Sequence, residues 1–296
     1  MKEFPFIEVE NKKYPMVIMG EDRFTGWFGK KLFNNEENRA KAYRECLETA
    51  YSLGVRGFSI SPQDTLVRVL KNFKKEYQDI VCIANPHWQS HYYIGKESLW
   101  SERNMQRMGA TELYHNKELK DCYWYDNKDI DDRFSEEEIA TIRLDEEEHK
   151  QRLKEFNFCD FCLVGNFGSS AFITLNRKDI IEKEIVLVRE NNIIPIGMCQ
   201  GGGLALNKFE SLDVGGTWVW INRHFACPTL EYALKFIKEA KKPITAYKIF
   251  HSPEGFDFEK SIDFIKSVEQ IKSIVVGVDS KEQAEETFSK LQEYWI

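Results

Sequence analysis

No stretch of the 296-residue sequence approaches the roughly 20 consecutive apolar residues that a membrane-spanning helix requires. The opening MKEFPFIEVE puts acidic side chains where a secretory signal needs an apolar core, so a cytoplasmic protein is expected. Positive charge is outnumbered, with 41 Lys and Arg against 48 Asp and Glu. A formal net charge of −7 favours solubility and argues against a broad nucleic-acid or anionic-membrane surface. The seven cysteines are an odd, scattered set, which suits reduced thiols better than a disulfide framework. Cys159 and Cys162 form a CxxC with no second ligand pair, inside an apolar run, FCDFCLVGN, whose alternation sends the two sulfurs to opposite faces. Buried thiols are the expectation there. No HxH or HExxH spacing marks a metal site.

Hydrophobic residues make up 42% of the chain and charged residues 30%, enough for a sizeable core. Two short apolar runs flank a polar turn at Glu10–Lys13, the pattern of an N-terminal hairpin. Eight further apolar runs follow: 15–20, 55–61, 79–85, 160–166, 193–198, 217–222, 244–249 and 273–278. Between them lie segments of helical period. Leu230, Ala233, Leu234 and Ile237 recur at i, i+3, i+4 and i+7, with Pro228 placed for a first helical turn. Ile181, Ile185 and Val188 mark a helix that Asn176 and Asp179 would cap. Ser280 and Gln283 read as a capping box before the stripe Ala284, Phe288, Leu291 and Trp295. Eight strands alternating with helices, closing on a helix, predict one α/β domain over 1–296, a (β/α)8 (TIM) barrel with an N-terminal hairpin.

The stretch from about 89 to 143 breaks the rhythm. Rich in aromatics and charge (HYYIGKESLW, CYWYDNKDIDDRF), it reads as a long insertion leaving the third strand at its C-terminal end. Its two expected uses are an active-site lid and an oligomer interface.

Barrel chemistry resides at the strand C-termini. The first strand brings Glu21, Asp22 and Arg23 to that face; the second, Ser59 and Ser61; the third, Asn85 and His87, with His91 behind. Asn166 follows the fourth, Cys199 and Gln200 the fifth, and Asn222, Arg223 and His224 the sixth. Lys248 and His251 follow the seventh, and Asp279 the eighth. Four of six histidines thus fall on one face, where proton transfer is their natural role. A divalent metal held by His87, His224 or His251 with Asp22 or Glu21 is a weaker alternative. Lys248 interrupts an apolar strand; turned inward, its ammonium would suit base or Schiff-base chemistry, and turned outward it would be a packing stem. Alternation puts it on the face of Ala246. Gly201, Gly202 and Gly203 join a strand to a helix, as either a backbone cradle for phosphate or carboxylate or a tight turn.

The stretches AYSLGVRGFSISP, NNIIPIGMCQ and IKSIVVGVDSKEQAEETFSKL, with the N-terminal hairpin, resemble the aldo/keto reductase superfamily over about residues 14–62 and 143–296. The resemblance implies the barrel, a nicotinamide cofactor and carbonyl reduction by an Asp, a Tyr, a Lys and a His. This chain departs at each of those places. Ser59 stands at the Asp position, no tyrosine follows in SPQDTLVRV, the Lys position falls near Asn85, and the His position falls near Gly165 or Asn166. The family's phosphate-holding positions after the eighth strand correspond to Asp279, Ser280, Lys281 and Glu282, backed by Glu285 and Glu286. Their acidity disfavours NADP, while Ser280 at a helix start could hold a simpler phosphate.

The expectation from sequence is an enzyme on an aldo/keto-reductase-like barrel with a rebuilt active site. It would perform acid–base chemistry, of lyase or isomerase type, on a small polar carbonyl or anionic substrate. Lys248, His87 and His224 are the candidate reacting groups. Asp22, Arg23, Asn85, Asn166, Arg223 and His251 would contact substrate, and Gly201, Gly202, Gly203 and Ser280 an anionic group. An oxidoreductase using NAD(H) with another proton donor, and a non-catalytic binding or assembly barrel, are the alternatives. A small molecule is the expected partner, with homo-oligomerisation open and no nucleic acid or membrane.

Overall fold

The computed structural model describes residues 2–25, 33, 35–86, 91–122, 125–165, 168–199, 203–251 and 255–295. Eight parallel strands form a closed barrel: β1 (Val17–Gly20), β2 (Gly57–Ile60), β3 (Val81–Ala84), β4 (Phe161–Val164), β5 (Ile194–Cys199), β6 (Thr217–Asn222), β7 (Ile244–Tyr247) and β8 (Ile271–Gly277). Each pairs with its sequence neighbours, and β8 closes the ring on β1 with Ile274 opposite Val17. Each lies within two or three residues of an apolar run seen in the sequence. Strands buried on both faces read as continuous apolar segments, which is why they can be counted in advance.

Alternation divides the strand residues into two layers. Val17, Met19, Phe58, Ile60, Cys82, Ala84, Val219, Ile221, Ala246, Ile274 and Val276 face the outer ring of helices. Ile18, Val81, Ile83, Phe161, Leu163, Ile194, Ile196, Met198, Trp218 and Tyr247 fill the lumen. The lumen floor is sealed from below by the predicted hairpin (Phe6–Val9 and Lys12–Pro15). Its Tyr14 hydroxyl receives the Trp218 indole N–H at 2.7 Å and lies 3.0 Å from Thr245 Oγ1. With that end plugged, only the C-terminal ends of the strands are available to a ligand.

Three local expectations are corrected. The helix Lys178–Glu190 starts behind Arg177, without a side-chain cap, because Asn176 adopts a left-handed turn instead of capping. Pro228 precedes the helix Leu230–Glu239, whose cap is Thr229 accepting from the Tyr232 amide. Cys159 and Cys162 do not split between faces; both lie in the outer core, since Cys159 precedes β4 and escapes its alternation. Ser280 caps Lys281–Tyr294 as the sequence indicates, its Oγ accepting from the Gln283 amide.

The 89–143 stretch is structured. Tyr92–Ile94, Glu97–Ser98 and Arg143–Leu144 make a small antiparallel sheet around the helix Glu102–His115, and Ser135 with Glu138 forms a capping box for Glu136–Ala140. Its Leu119, Cys122 and Tyr125 pack on Leu204, which follows β5, and on Phe225 and Cys227, which follow β6. The buried Glu112 carboxylate bonds Tyr125 and Ser170, tying the insertion to the segment after β4. The insertion therefore rests on the β4–β6 side of the barrel. No helix among the described residues is long and apolar enough to cross a membrane.

Candidate functional site

The β1 end carries a buried carboxyl. Glu21 is only 2% exposed, and its two carboxylate oxygens accept hydrogen bonds from Ser59 Oγ and Ser61 Oγ at the end of β2. Burial, then the charge of neighbouring Asp22, pushes its pKa up to about 7. The two hydroxyls pull the other way but do not offset burial. A carboxyl poised near neutrality takes up and gives up protons readily. Because Phe58 and Ile60 point to the outer layer, Ser59 faces the lumen and links Glu21 to it. The phenol of Tyr43, from the helix Glu36–Ser52, is also buried near Glu21, whose charge raises its pKa further.

Lys248 and Asp22 meet over the mouth: Nζ donates to Asp22 Oδ2 at 2.9 Å, with the two side chains 30% and 32% exposed. Simple alternation would leave Lys248 in the outer layer with Ala246. Its left-handed backbone (φ 57°) ends β7 and redirects the side chain across the end of β8 to β1. Asn222 Nδ2 donates to the Lys248 carbonyl at 3.2 Å and holds that turn. Arg23, on the rim, donates to Asp279 Oδ2 at 2.7 Å.

The remaining candidates are placed as follows. His224 is half-buried in the tight turn after β6, its amide donating to Asn222 Oδ1 at 3.0 Å. Arg223 lies beside it, close enough to contribute to the lowered pKa of Asp257, which Lys260 dominates. The His251 ring is exposed and stands edge-on to Trp220, with centroids 6.0 Å apart. Asn85 is buried one residue past β3. His91 leaves the mouth altogether and pairs with Glu148 on the outer ring, Nδ1 to Oε2 at 3.1 Å. The Gly203 amide donates to the Cys227 carbonyl, and a Cβ there would come within 2.9 Å of the Tyr232 ring, so close helix packing accounts for this glycine. His87, Asn166, Gln200, Gly201 and Gly202 lie outside the described residues. Among the described residues, no three His, Cys, Asp or Glu side chains are arranged to hold a metal ion.

Sequence reasoning passed over Tyr247. This lumen residue is 7% exposed, and its hydroxyl has no hydrogen-bond partner among the described residues. Burial pushes the phenol well above its ordinary pKa, with Cys199, Asp22 and Cys227 adding to the effect. In ITAYKI, an aromatic at a strand position reads as core.

The residues after β8 do not fit a nicotinamide dinucleotide. Asp279 is engaged by Arg23, its amide donates to Gln283 Oε1 at 2.8 Å, and Ser280 Oγ accepts the Gln283 amide. The helix start is thus capped from within, and Glu282, Glu285 and Glu286 put negative charge on its first turns, unfavourable to a diphosphate.

No family model matches the sequence, and no curated protein matches it. Solved structures do resemble the fold. A Pseudomonas aeruginosa protein assigned to the aldo-keto reductases superposes with a TM-score of 0.57 at 13% identity, over 98% of this chain and 95% of that one. A thermostable aldo-keto reductase solved with the inhibitor epalrestat gives 0.53 at 10% identity, over 97% and 94%. At such identities the likeness is one of architecture: the chain has the closed barrel and N-terminal hairpin of the aldo-keto reductase fold.

Proposed function

We propose that this chain is an enzyme that moves protons on a small polar carbonyl compound at the barrel mouth, without a nicotinamide cofactor. The observation that carries the reading is Glu21, a buried carboxyl with a pKa of about 7 at a strand C-terminus, where barrels place their chemistry. Glu21 serves as the acid–base group and exchanges protons with the lumen through Ser59. The Lys248 ammonium, held by Asp22, offers positive charge to an oxygen that becomes negative when a neighbouring carbon loses its proton. His224, on the same rim, is a second proton-handling group in this reading, and Arg23 and Arg223 border the entrance. The insertion serves as the cover of the β4–β6 side, a role supported by its packing on Leu204, Phe225 and Cys227.

The test needs no cofactor. Small aldehydes and ketones are incubated with the protein in D2O, and deuterium incorporation next to the carbonyl is followed by NMR. Catalysed exchange is expected for at least one compound, and Glu21→Gln should slow it by about 10²–10⁴-fold. Exchange that never exceeds the buffer rate, or that survives Glu21→Gln, would refute the proposal.

A further inference from the structure

Two buried polar atoms at the mouth stand without hydrogen-bond partners among the described residues: Tyr247 OH on β7 and Asn85 Oδ1 just past β3. Both residues are more than nine-tenths buried, at 7% and 8% exposure. Both face the lumen, since Tyr247 packs with Trp218 and Trp220 and Asn85 continues the inward face of Val81 and Ile83. Along the closed ring, β3 and β7 are four strands apart in either direction, so the two residues stand on opposite walls of the barrel at its C-terminal end. In barrels of this kind side chains fill the lumen and ligands bind at the C-terminal ends of the strands, where both residues stand. A phenolic O–H without an acceptor and a carbonyl without a donor are each costly to bury, and their joint occurrence on opposite walls describes a molecule to fit between them.

Two of the cations at the mouth already have partners. Lys248 is paired with Asp22 and Arg23 with Asp279, so an anion would have to break an existing ion pair to gain one. We infer that the site takes a small neutral compound carrying an acceptor oxygen for Tyr247 and an O–H or N–H donor for Asn85, such as a hydroxyketone or a hydroxyamide. This inference rests on the barrel mouth being the site proposed above, and it narrows the substrate from carbonyl or anionic to neutral with a donor and an acceptor.

Binding, measured without turnover, tests it. Dihydroxyacetone and glycolamide are the neutral probes, glycolate the anionic one and acetone the probe lacking a donor, each titrated by saturation-transfer NMR at millimolar concentration. The neutral pair should bind saturably and more tightly than glycolate or acetone. Tyr247→Phe and Asn85→Ala should each weaken that binding by about tenfold, the effect of one lost hydrogen bond. Tyr247→Phe should melt no lower than the parent, because the hydroxyl it removes has no partner to lose. The binding assay involves no turnover, so intact binding with no catalysed exchange refutes the proposed chemistry alone, and lost binding refutes this inference. The inference is overturned if neither neutral probe binds, if glycolate binds as tightly, if Tyr247→Phe binds unchanged, or if that variant melts several degrees lower.

Discussion

Among the buried carboxylates of this barrel, Glu21 at its mouth and Glu184 in its wall have been given opposite company. Glu184, on the helix Lys178–Glu190, is fully buried, and its Oε2 accepts the Tyr92 hydroxyl and the Gly165 amide, each at 2.8 Å. Its other oxygen lies 3.8 Å from Nε2 of His149, itself buried. Burial raises its pKa, and the His149 charge and both hydrogen bonds oppose that rise. Glu21 has two serine hydroxyls, its own backbone amide and a second carboxylate, Asp22, whose charge adds to the effect of burial. Glu184 therefore joins three segments: the insertion through Tyr92, the β4 exit through Gly165 and the helix Glu146–Glu155 through His149. Glu21 joins only β1 to β2, and in the proposed function it is the group that exchanges its proton. The partners, more than the burial, separate a structural carboxylate from a chemical one.

The sharpest way to break this contrast is to remove Glu184. Glu184→Leu leaves the Tyr92 hydroxyl and the Gly165 amide without their acceptor and His149 without its carboxylate. A loss of about 3–5 kcal/mol is expected in urea unfolding. Glu184→Gln keeps an acceptor oxygen and should lose clearly less. Equal losses for the two variants would mean that the hydrogen bonds contribute nothing.

Glu21 should behave in the opposite sense. Its pKa rises from 4.5 to about 7 on folding, so between those values the folded chain holds a proton that the unfolded chain has released. Stability from this group is complete below pH 4.5 and declines as pH rises toward 7, by about 3 kcal/mol in total. Glu21→Gln does not titrate. The difference in unfolding free energy between parent and variant should therefore drift by that amount from pH 4.5 to pH 8, in favour of the variant. A difference that stays constant with pH would place the Glu21 carboxyl at its ordinary value.

The same contrast shows how far the sequence could be read. The eight strands were countable because each is a double-sided apolar run, and the hairpin because two such runs flank a polar turn. Glu184 left a sign: with Ile181, Ile185 and Val188 it occupies i+3 of an apolar stripe, a core position held by a charge. Glu21 could be placed at a strand end, but the burial that raises its pKa is set by the tertiary fold, and its hydroxyl partners Ser59 and Ser61 are 38 and 40 residues away in sequence. Periodicity misplaced Lys248, because a single left-handed residue turns it out of the alternation. The insertion read as loop because its short elements are held by packing against the segments after β4, β5 and β6, which no local pattern encodes.

The smallest effect belongs to the pair at the rim. Lys248 and Asp22 are about one-third exposed, so water screens their attraction, and a double-mutant cycle with Lys248→Met and Asp22→Asn should give a coupling of about 0.2–1 kcal/mol in stability. Their contribution to exchange should be much larger than that coupling. An ammonium that stabilises charge on a reacting oxygen acts in the transition state, and its removal typically costs about 10²–10³-fold in rate. Lys248→Met should therefore lower the exchange rate steeply while barely moving the unfolding midpoint. If both changed in proportion, Lys248 would be a structural cation of the same kind as His149, and the mouth would lose its distinction from the wall.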